Sequence, residues 1–280
     1  MHLTNYHTHS RFCDGKGEPE DYVKEAISRG FKALGFSSHA PVPFPTTWIM
    51  ARENLEHYVR EINRLKSAYQ GQIQIYLGLE IDYIPGTVFP GMSELEPCNL
   101  DYTLGSVHFV ATAGDNRHLT VDSPGEEFEV LFHREFKSDA PALGSRYFSL
   151  MREMLTAHRP DILGHMDIVK LQNNRAFYFK EDDSWYLEEV LSTLDTAAQS
   201  GVFIEVNTGG WSRGKVDTTY PGLWILRECR KRNIPLVLNA DAHSPTTIDA
   251  FFPEAEALMR EAGYRERMVL LDGIWQAVGL

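Results

Sequence analysis

Cysteine is scarce: Cys13, Cys98 and Cys229 are the only three in 280 residues. They are odd in number and far apart, which argues against a disulfide framework or a Cys-x-x-Cys zinc knuckle and suits a reducing cytoplasm. No apolar run approaches the ~18 residues that a membrane-spanning helix needs. The stretch Met1-His2-Leu3-Thr4-Asn5-Tyr6 has neither a basic flank nor an apolar core, so no secretory leader is expected and the chain reads as cytoplasmic. Positive charge is in deficit as well, since 27 Lys and Arg against 39 Asp and Glu leave a formal charge of −12. A sequence-independent nucleic-acid binder needs a basic surface, so neither nucleic acid nor membrane is expected as a partner. Disorder is excluded by the 43% of hydrophobic residues, enough for a large core. No repeat, low-complexity tract or compositional linker divides the chain, and residues 1–280 are expected to form one domain. Nothing in the chain specifies an oligomeric state.

What the sequence does contain is a steady alternation of strand and helix signals. Strands are expected at Leu3 to His9, Ala33 to Ser38, Ile73 to Leu79, Tyr102 to Val107, Ile162 to Gly164, Val202 to Ile204 and Pro235 to Asn239. An eighth short strand is expected at Met268 to Leu271. Between them apolar residues recur at helical spacing, as in Leu55, Val59, Ile62, Leu65 and Tyr69, and Gly30, Gly71 and Gly201 stop three of the helices. Strand–helix repetition over this length implies a parallel sheet with helices outside, and a closed α/β barrel is the expected form. Two stretches break the rhythm: a stiff loop with Pro41, Pro43 and Pro45, and a long polar segment from Ala111 to Gly144, of a length that is usually functional or mobile.

The strand ends carry the chemistry. In order they present His7-Thr8-His9 with Asp14, then His39, Glu80, His108, His165 with Asp167, Glu205-Val206-Asn207, and Asp241-Ala242-His243. In a parallel barrel these ends converge on one face. The period of two along a strand puts both imidazoles of His-x-His on one side, where they can share a cation. Asp241 and His243 are paired in the same way, and Glu80 has two oxygens with which to bridge two ions. A single strand-end histidine is more often structural than a ligand. Six of them with three acids, buried without metal, would leave lone pairs facing one another. A metal centre is therefore expected. Cys13 reads as packing, and His57 and His158 as helix surface.

These residues resemble the PHP (polymerase and histidinol phosphatase) superfamily, and within it the histidinol-phosphatase branch. The likeness rests on His7-Thr8-His9-Ser10 with Asp14-Gly15, Ser38-His39-Ala40, Gly78-Leu79-Glu80-Ile81-Asp82-Tyr83, Gly105-Ser106-Val107-His108-Phe109, Gly164-His165-Met166-Asp167, Glu205-Val206-Asn207-Thr208 and Asp241-Ala242-His243. It implies a distorted (β/α)7 TIM-like barrel and three divalent ions of zinc, iron or manganese at the C-terminal face of the strands. By position, His7, His9, Glu80 and Asp241 would hold one ion; Glu80, His108 and His165 a second; Asp14, His39 and His243 a third.

The resemblance further implies a phosphomonoesterase acting on a small phosphorylated substrate, L-histidinol phosphate in histidine biosynthesis. A hydroxide bridging two ions would attack phosphorus. Arg213 matches the family's phosphate-side arginine, with Lys170 as a second candidate; Asn207, Arg117 and His118 are further substrate-side candidates, and Asp167 a candidate acid for the leaving alkoxide. Three divalent ions, the carboxylates Asp14, Glu80 and Asp241 and one hydroxide leave a surplus of about +2, which matches a phosphate dianion. An acid from the Asp122 to Glu135 stretch, or Asp139, is expected to meet the substrate's ammonium. The alternatives are a PHP-type phosphoesterase or exonuclease for another metabolite or nucleotide, an amidohydrolase of the His-x-His type, which Glu80 disfavours in place of a bridging lysine, and a metal-dependent binding protein.

Overall fold

The computed structural model describes residues 3–114, 117–123, 125–173 and 178–280. Its main sheet has seven parallel strands in sequence order: β1 (Thr4–Asn5), β2 (Ala33–Phe36), β3 (Gln74–Asp82), β4 (Tyr102–Ser106), β5 (Ile162–Leu163), β6 (Phe203–Asn207) and β7 (Leu236–Asn239). The long β3 pairs with β2 through its first half (Ala33↔Gln74 to Phe36↔Leu77) and with β4 through its second (Gly78↔Tyr102 to Asp82↔Ser106). That stagger shears the sheet, as closure of a barrel requires. The last strand returns to the first: Thr8 bridges Ala242, the His9 N–H donates to the Ala242 carbonyl at 2.9 Å, and the Ala242 N–H donates to the His7 carbonyl at 3.0 Å. At the other end of this seam the side chain of Asn239 accepts from the Tyr6 N–H, at 2.8 Å.

Helices cover the outside because their apolar residues recur on one face. Pro19–Ser28 begins with Pro at its first turn and is followed by Gly30 at φ +77°, and Ser184–Ser200 ends on Gly201 at φ +73°. Both glycines occupy the left-handed region that stops a helix. Asp139 caps Ala140–Ala157 by accepting from the Ala142 N–H at 2.9 Å.

Two expectations change. The segment Glu266–Leu271 does form a strand, but it pairs antiparallel with Ile274–Gly279 outside the barrel sheet. The long polar segment is not a structureless loop: Phe109–Thr112 pairs antiparallel with His118–Thr120, and Glu126–Glu129 runs into a π-helical turn at Val130–Glu135. Apolar residues buried at four-residue spacing, Phe128 and Phe132, anchor it to the core. Among the described residues no helix is long and apolar enough to cross a membrane.

Candidate metal centre

Glu80 is the hub of the mouth. It lies near the end of β3, 1% exposed, with imidazoles against both oxygens. Its Oε2 is 3.1 Å from His7 Nε2 and 3.3 Å from both His9 Nε2 and His39 Nδ1. Its Oε1 is 2.9 Å from His165 Nε2, 4.0 Å from His108 Nε2, and accepts from the Ser106 hydroxyl at 2.6 Å. Asp241 Oδ1 stands 3.3 Å from His9 Nε2 and 3.6 Å from His7 Nε2. At the rim, His243 Nε2 lies 3.0 Å from Asp14 Oδ2, with side chains 24% and 31% exposed. The rings of His9 and His243 stack with centroids 4.2 Å apart.

All nine residues expected as ligands thus fall into overlapping groups whose donor atoms lie within 4.8 Å of one another. These groups cut across the expected partition at more than one residue, since His165 groups with His7 and Glu80 and His108 with His39 and Asp82. His39 groups with His9 and Glu80, and with Asp82 and His108, whereas Asp14 and His243 group with His9. For His39 and His108 the cause is Asp82, two residues beyond Glu80 on the same face of β3, which draws their Nδ1 atoms (3.1 Å for His39).

Two carboxylates therefore work from behind the imidazoles. Asp82 holds His39 and His108. Glu205, on β6, accepts from His7 Nδ1 at 2.7 Å and from the His165 N–H at 2.8 Å, and is itself held by the side chains of Asn207 and Asn239, each at 2.9 Å. A carboxylate on the far nitrogen fixes the tautomer and leaves the near nitrogen for a cation. Glu205 stood out as a strand-end acid but Asp82 did not, although the period of two from Glu80 marks both as facing inward.

Four buried carboxylates, Glu80, Asp82, Glu205 and Asp241, and the exposed Asp14 at the rim meet in this mouth, and among the described residues the Arg213 guanidinium is the permanent cation lining its cavity. Burial opposes protonation of His7, yet Glu205, Glu80 and Asp241 outweigh it and raise its pKa well above the ordinary value. Burial likewise opposes charge on His108, but Asp82 and Asp122 push it up to about 10. His7 faces a carboxylate with each of its nitrogens, so a positive charge is demanded there, as a proton or a metal ion. His9 Nε2 and His165 Nδ1 are buried without a hydrogen bond. Such an N/O donor set fits divalent transition metals.

Arg213 follows the short helix Gly209–Ser212. It donates to the Asp241 carbonyl at 3.1 Å and to Asp241 Oδ2 at 3.0 Å, and remains 34% exposed in the side chain. It lines the same cavity of about 400 Å³ as Asp14, His39, Glu80, His108 and His165. The other substrate-side candidates lie elsewhere. Asp167 and Lys170 form a buried ion pair at 2.7 Å beyond the lining of this cavity, and burial raises the Asp167 pKa against the pull of Lys170. Asn207 Oδ1 accepts from the Gly209 N–H at 2.8 Å and so shapes the turn that carries Arg213. Arg117 and His118 line a neighbouring cavity. Of the acid-rich stretch, Asp122 and Glu127 line the metal-side cavity, while Glu129 pairs with His133 at 2.8 Å. Asp139 is spent on its helix cap.

A parallel barrel whose mouth gathers six imidazoles and five carboxylates defines the class, a parallel α/β barrel with a candidate metal centre at its mouth. The chain belongs to the PHP domain family, whose sequence model matches residues 5–209. It is 31% identical over 266 residues to a Deinococcus radiodurans protein named "Probable histidinol-phosphatase", covering 94% of this chain and 95% of that one. With the Bacillus subtilis "Histidinol-phosphatase" it shares 30% identity over 262 residues, 87% of this chain and 94% of the relative. The histidinol phosphate phosphatase of Lactococcus lactis, solved with Zn, L-histidinol and phosphate, shares the fold with a TM-score of 0.71 at 21% identity over 98% of each chain.

Proposed function

We propose that this chain is a metal-dependent phosphomonoesterase that hydrolyses L-histidinol phosphate to L-histidinol and phosphate, a cytoplasmic step of histidine biosynthesis. The observation that carries the reading is the Glu80-centred cluster of imidazoles and carboxylates with Arg213 at its edge, in a chain that aligns over nearly its whole length with histidinol-phosphatases.

His7, His9, Glu80 and Asp241 would hold one ion and Glu80, His108 and His165 a second. Asp14 and His243 would anchor a third beside His9, and His39, its Nδ1 taken up by Asp82, lines the same cavity. Zinc, iron and manganese all suit these ligands. Divalent ions there would supply Lewis acidity to phosphoryl oxygens and a water nucleophile that ionises near neutral pH.

The chain's own part is to position and to balance charge. Asp82 and Glu205 orient the imidazoles. They also add two negative charges that the count of Asp14, Glu80 and Asp241 omits, so the cationic surplus offered to phosphate is smaller than the sequence suggests. Arg213 consequently carries more of the load. Its guanidinium, braced by Asp241, meets phosphate oxygens with charge-assisted hydrogen bonds. Asp122 and Glu127 line the same cavity and would partner the substrate's ammonium.

The test is a comparison of kcat/KM on one metal-loaded preparation. L-Histidinol phosphate should exceed a plain aryl phosphate by at least ~10², because a site built around the ammonium leaves its carboxylate unpaired with the wrong substrate. Equal efficiency on both would remove the substrate assignment, and no phosphate release from either would remove the phosphatase.

A further inference from the structure

A second cavity, of about 390 Å³, adjoins the metal-side cavity and shares four lining residues with it: Thr47, Trp48, Thr120 and Glu127. Its chemistry is different. The metal side is lined by carboxylates and imidazoles, whereas the second chamber is walled by Phe44, Trp48, Phe109 and His118. These rings form one continuous array. His118 stacks on Phe44 with centroids 3.7 Å apart and planes 9° from parallel. Phe44 meets Phe109 edge-on at 5.3 Å, and Phe109 stacks on Trp48 at 5.5 Å. Trp48 in turn touches the metal centre, edge-on to His39 at 4.6 Å and to His108 at 5.6 Å. Burial lowers the pKa of His118, so it lines the chamber as a neutral ring.

We infer that this aromatic chamber receives the imidazole ring of the substrate and that Phe44 and His118 set the enzyme's preference for it. The inference rests on the histidinol phosphate reading and extends it. Its support is a set of adjoining chemistries. The metal-side cavity carries the metal-ligand candidates, Arg213 and the carboxylates Asp122 and Glu127, and Glu127 and Trp48 continue into the ring-lined chamber. Histidinol phosphate joins the same three chemistries: a phosphate, an ammonium and a flat aromatic ring. Glu127 lines both cavities, where the ammonium-bearing carbon of the substrate would fall. Flat rings in such a chamber gain from offset stacking as well as from burial.

The test uses phosphoethanolamine, which keeps the phosphate and ammonium but has no ring. The quantity read is the ratio of kcat/KM for L-histidinol phosphate to that for phosphoethanolamine. It should be large for the wild type and fall about tenfold or more in Phe44→Ala and in His118→Ala, the scale of losing a stacking partner and its buried surface. His118→Phe keeps a ring stacked on Phe44 and should hold most of the ratio, which separates loss of the wall from loss of fold. A ratio near one in the wild type, or an unchanged ratio in both alanine variants of folded, metal-loaded protein, overturns the chamber's role while phosphatase activity stands. Absence of turnover on both substrates overturns the phosphatase reading itself, and the chamber with it.

Discussion

The two ends of this barrel are built from opposite materials. At the C-terminal mouth, groups that proteins rarely bury, His7, His9, Glu80, Asp82 and Glu205, lie at most 1% exposed and contact one another or the imidazoles beside them. At the floor, Tyr6, Tyr76 and Tyr102 pack with Ala33, Leu104, Ile162, Val237 and Leu270. Each floor tyrosine turns its polar tip to backbone or amide. Tyr6 donates to the Leu270 carbonyl at 2.9 Å and accepts from its N–H at 2.8 Å, while Tyr102 donates to the Tyr6 carbonyl at 2.6 Å. The floor is satisfied by its own hydrogen bonds and needs no cation. The mouth concentrates carboxylate charge that burial makes costly unless it is paired. One strand can serve both ends, as β3 does with Tyr76 below and Glu80 and Asp82 above. The lesson is a division of labour in which damage to the mouth should cost chemistry and damage to the floor should cost stability.

Glu80→Gln should break the mouth most completely. Gln keeps the shape but removes the charge that several imidazoles share, so turnover and metal content should fall by more than the roughly 10–100-fold typical of outer partners. Circular dichroism should still show folded protein. Near wild-type turnover and metal content in this variant would mean that Glu80 is not the bridge. Arg213→Ala should come next, with kcat/KM reduced on the order of 10²-fold or more while metal content holds; intact kinetics would return Arg213 to the role of a surface charge bonded to Asp241. Asp82→Asn sharpens the comparison from behind the imidazoles. It should lower metal affinity or activity by ~10–100-fold, measured by chelator competition.

Floor damage should look different. A Cβ on Gly78 would lie 2.4 Å from Tyr102 Cζ, so Gly78→Ala should lower stability by about 1–3 kcal/mol through overpacking. Thermal melting should show the loss, with metal per folded chain unchanged. A melting curve like the wild type's would mean that the floor yields more easily than its packing implies.

Smallest is a pH effect that separates metal-free from metal-loaded protein. Burial disfavours charge on His7, His9, His39 and His108, but neighbouring groups, chiefly carboxylates, raise all four. A raised group stabilises fully below its unfolded value of ~6.5 and loses that contribution as pH climbs through the folded one. Chelated protein should therefore lose stability between neutral pH and about 10, the value to which His108 is pushed. Metal-loaded protein, its imidazoles neutral as ligands, should hold steady over that range. Parallel curves for the two forms would contradict the assignment of these imidazoles.

Much of this division could be read from the chain. The barrel strands were legible because β-prone apolar runs alternate with helical periods, and eight of the nine mouth residues because they lie at or just beyond strand ends, with Asp14 in the turn that follows the first. The strand expected from Leu3 to His9 shrinks to Thr4–Asn5 plus the Thr8 bridge, because only those residues find a partner ladder. The part played by Asp82 was not legible, since its contact with His39 joins two different strands. Nor was the aromatic chamber, which joins Phe44 and Trp48 of the proline-rich loop to Phe109 and His118 of a hairpin more than 60 residues away. Such sites depend on packing between segments that carry no shared pattern.

The central claim is that the charged mouth is a divalent-metal centre that hydrolyses a phosphomonoester. Its most direct test is phosphate release from L-histidinol phosphate by the purified chain, first stripped with chelator and then reloaded with zinc, manganese or iron. The account predicts no turnover in the stripped protein and recovery on reloading, rising with bound metal towards three ions per chain. Full turnover by stripped protein that elemental analysis shows to hold no transition metal would contradict it.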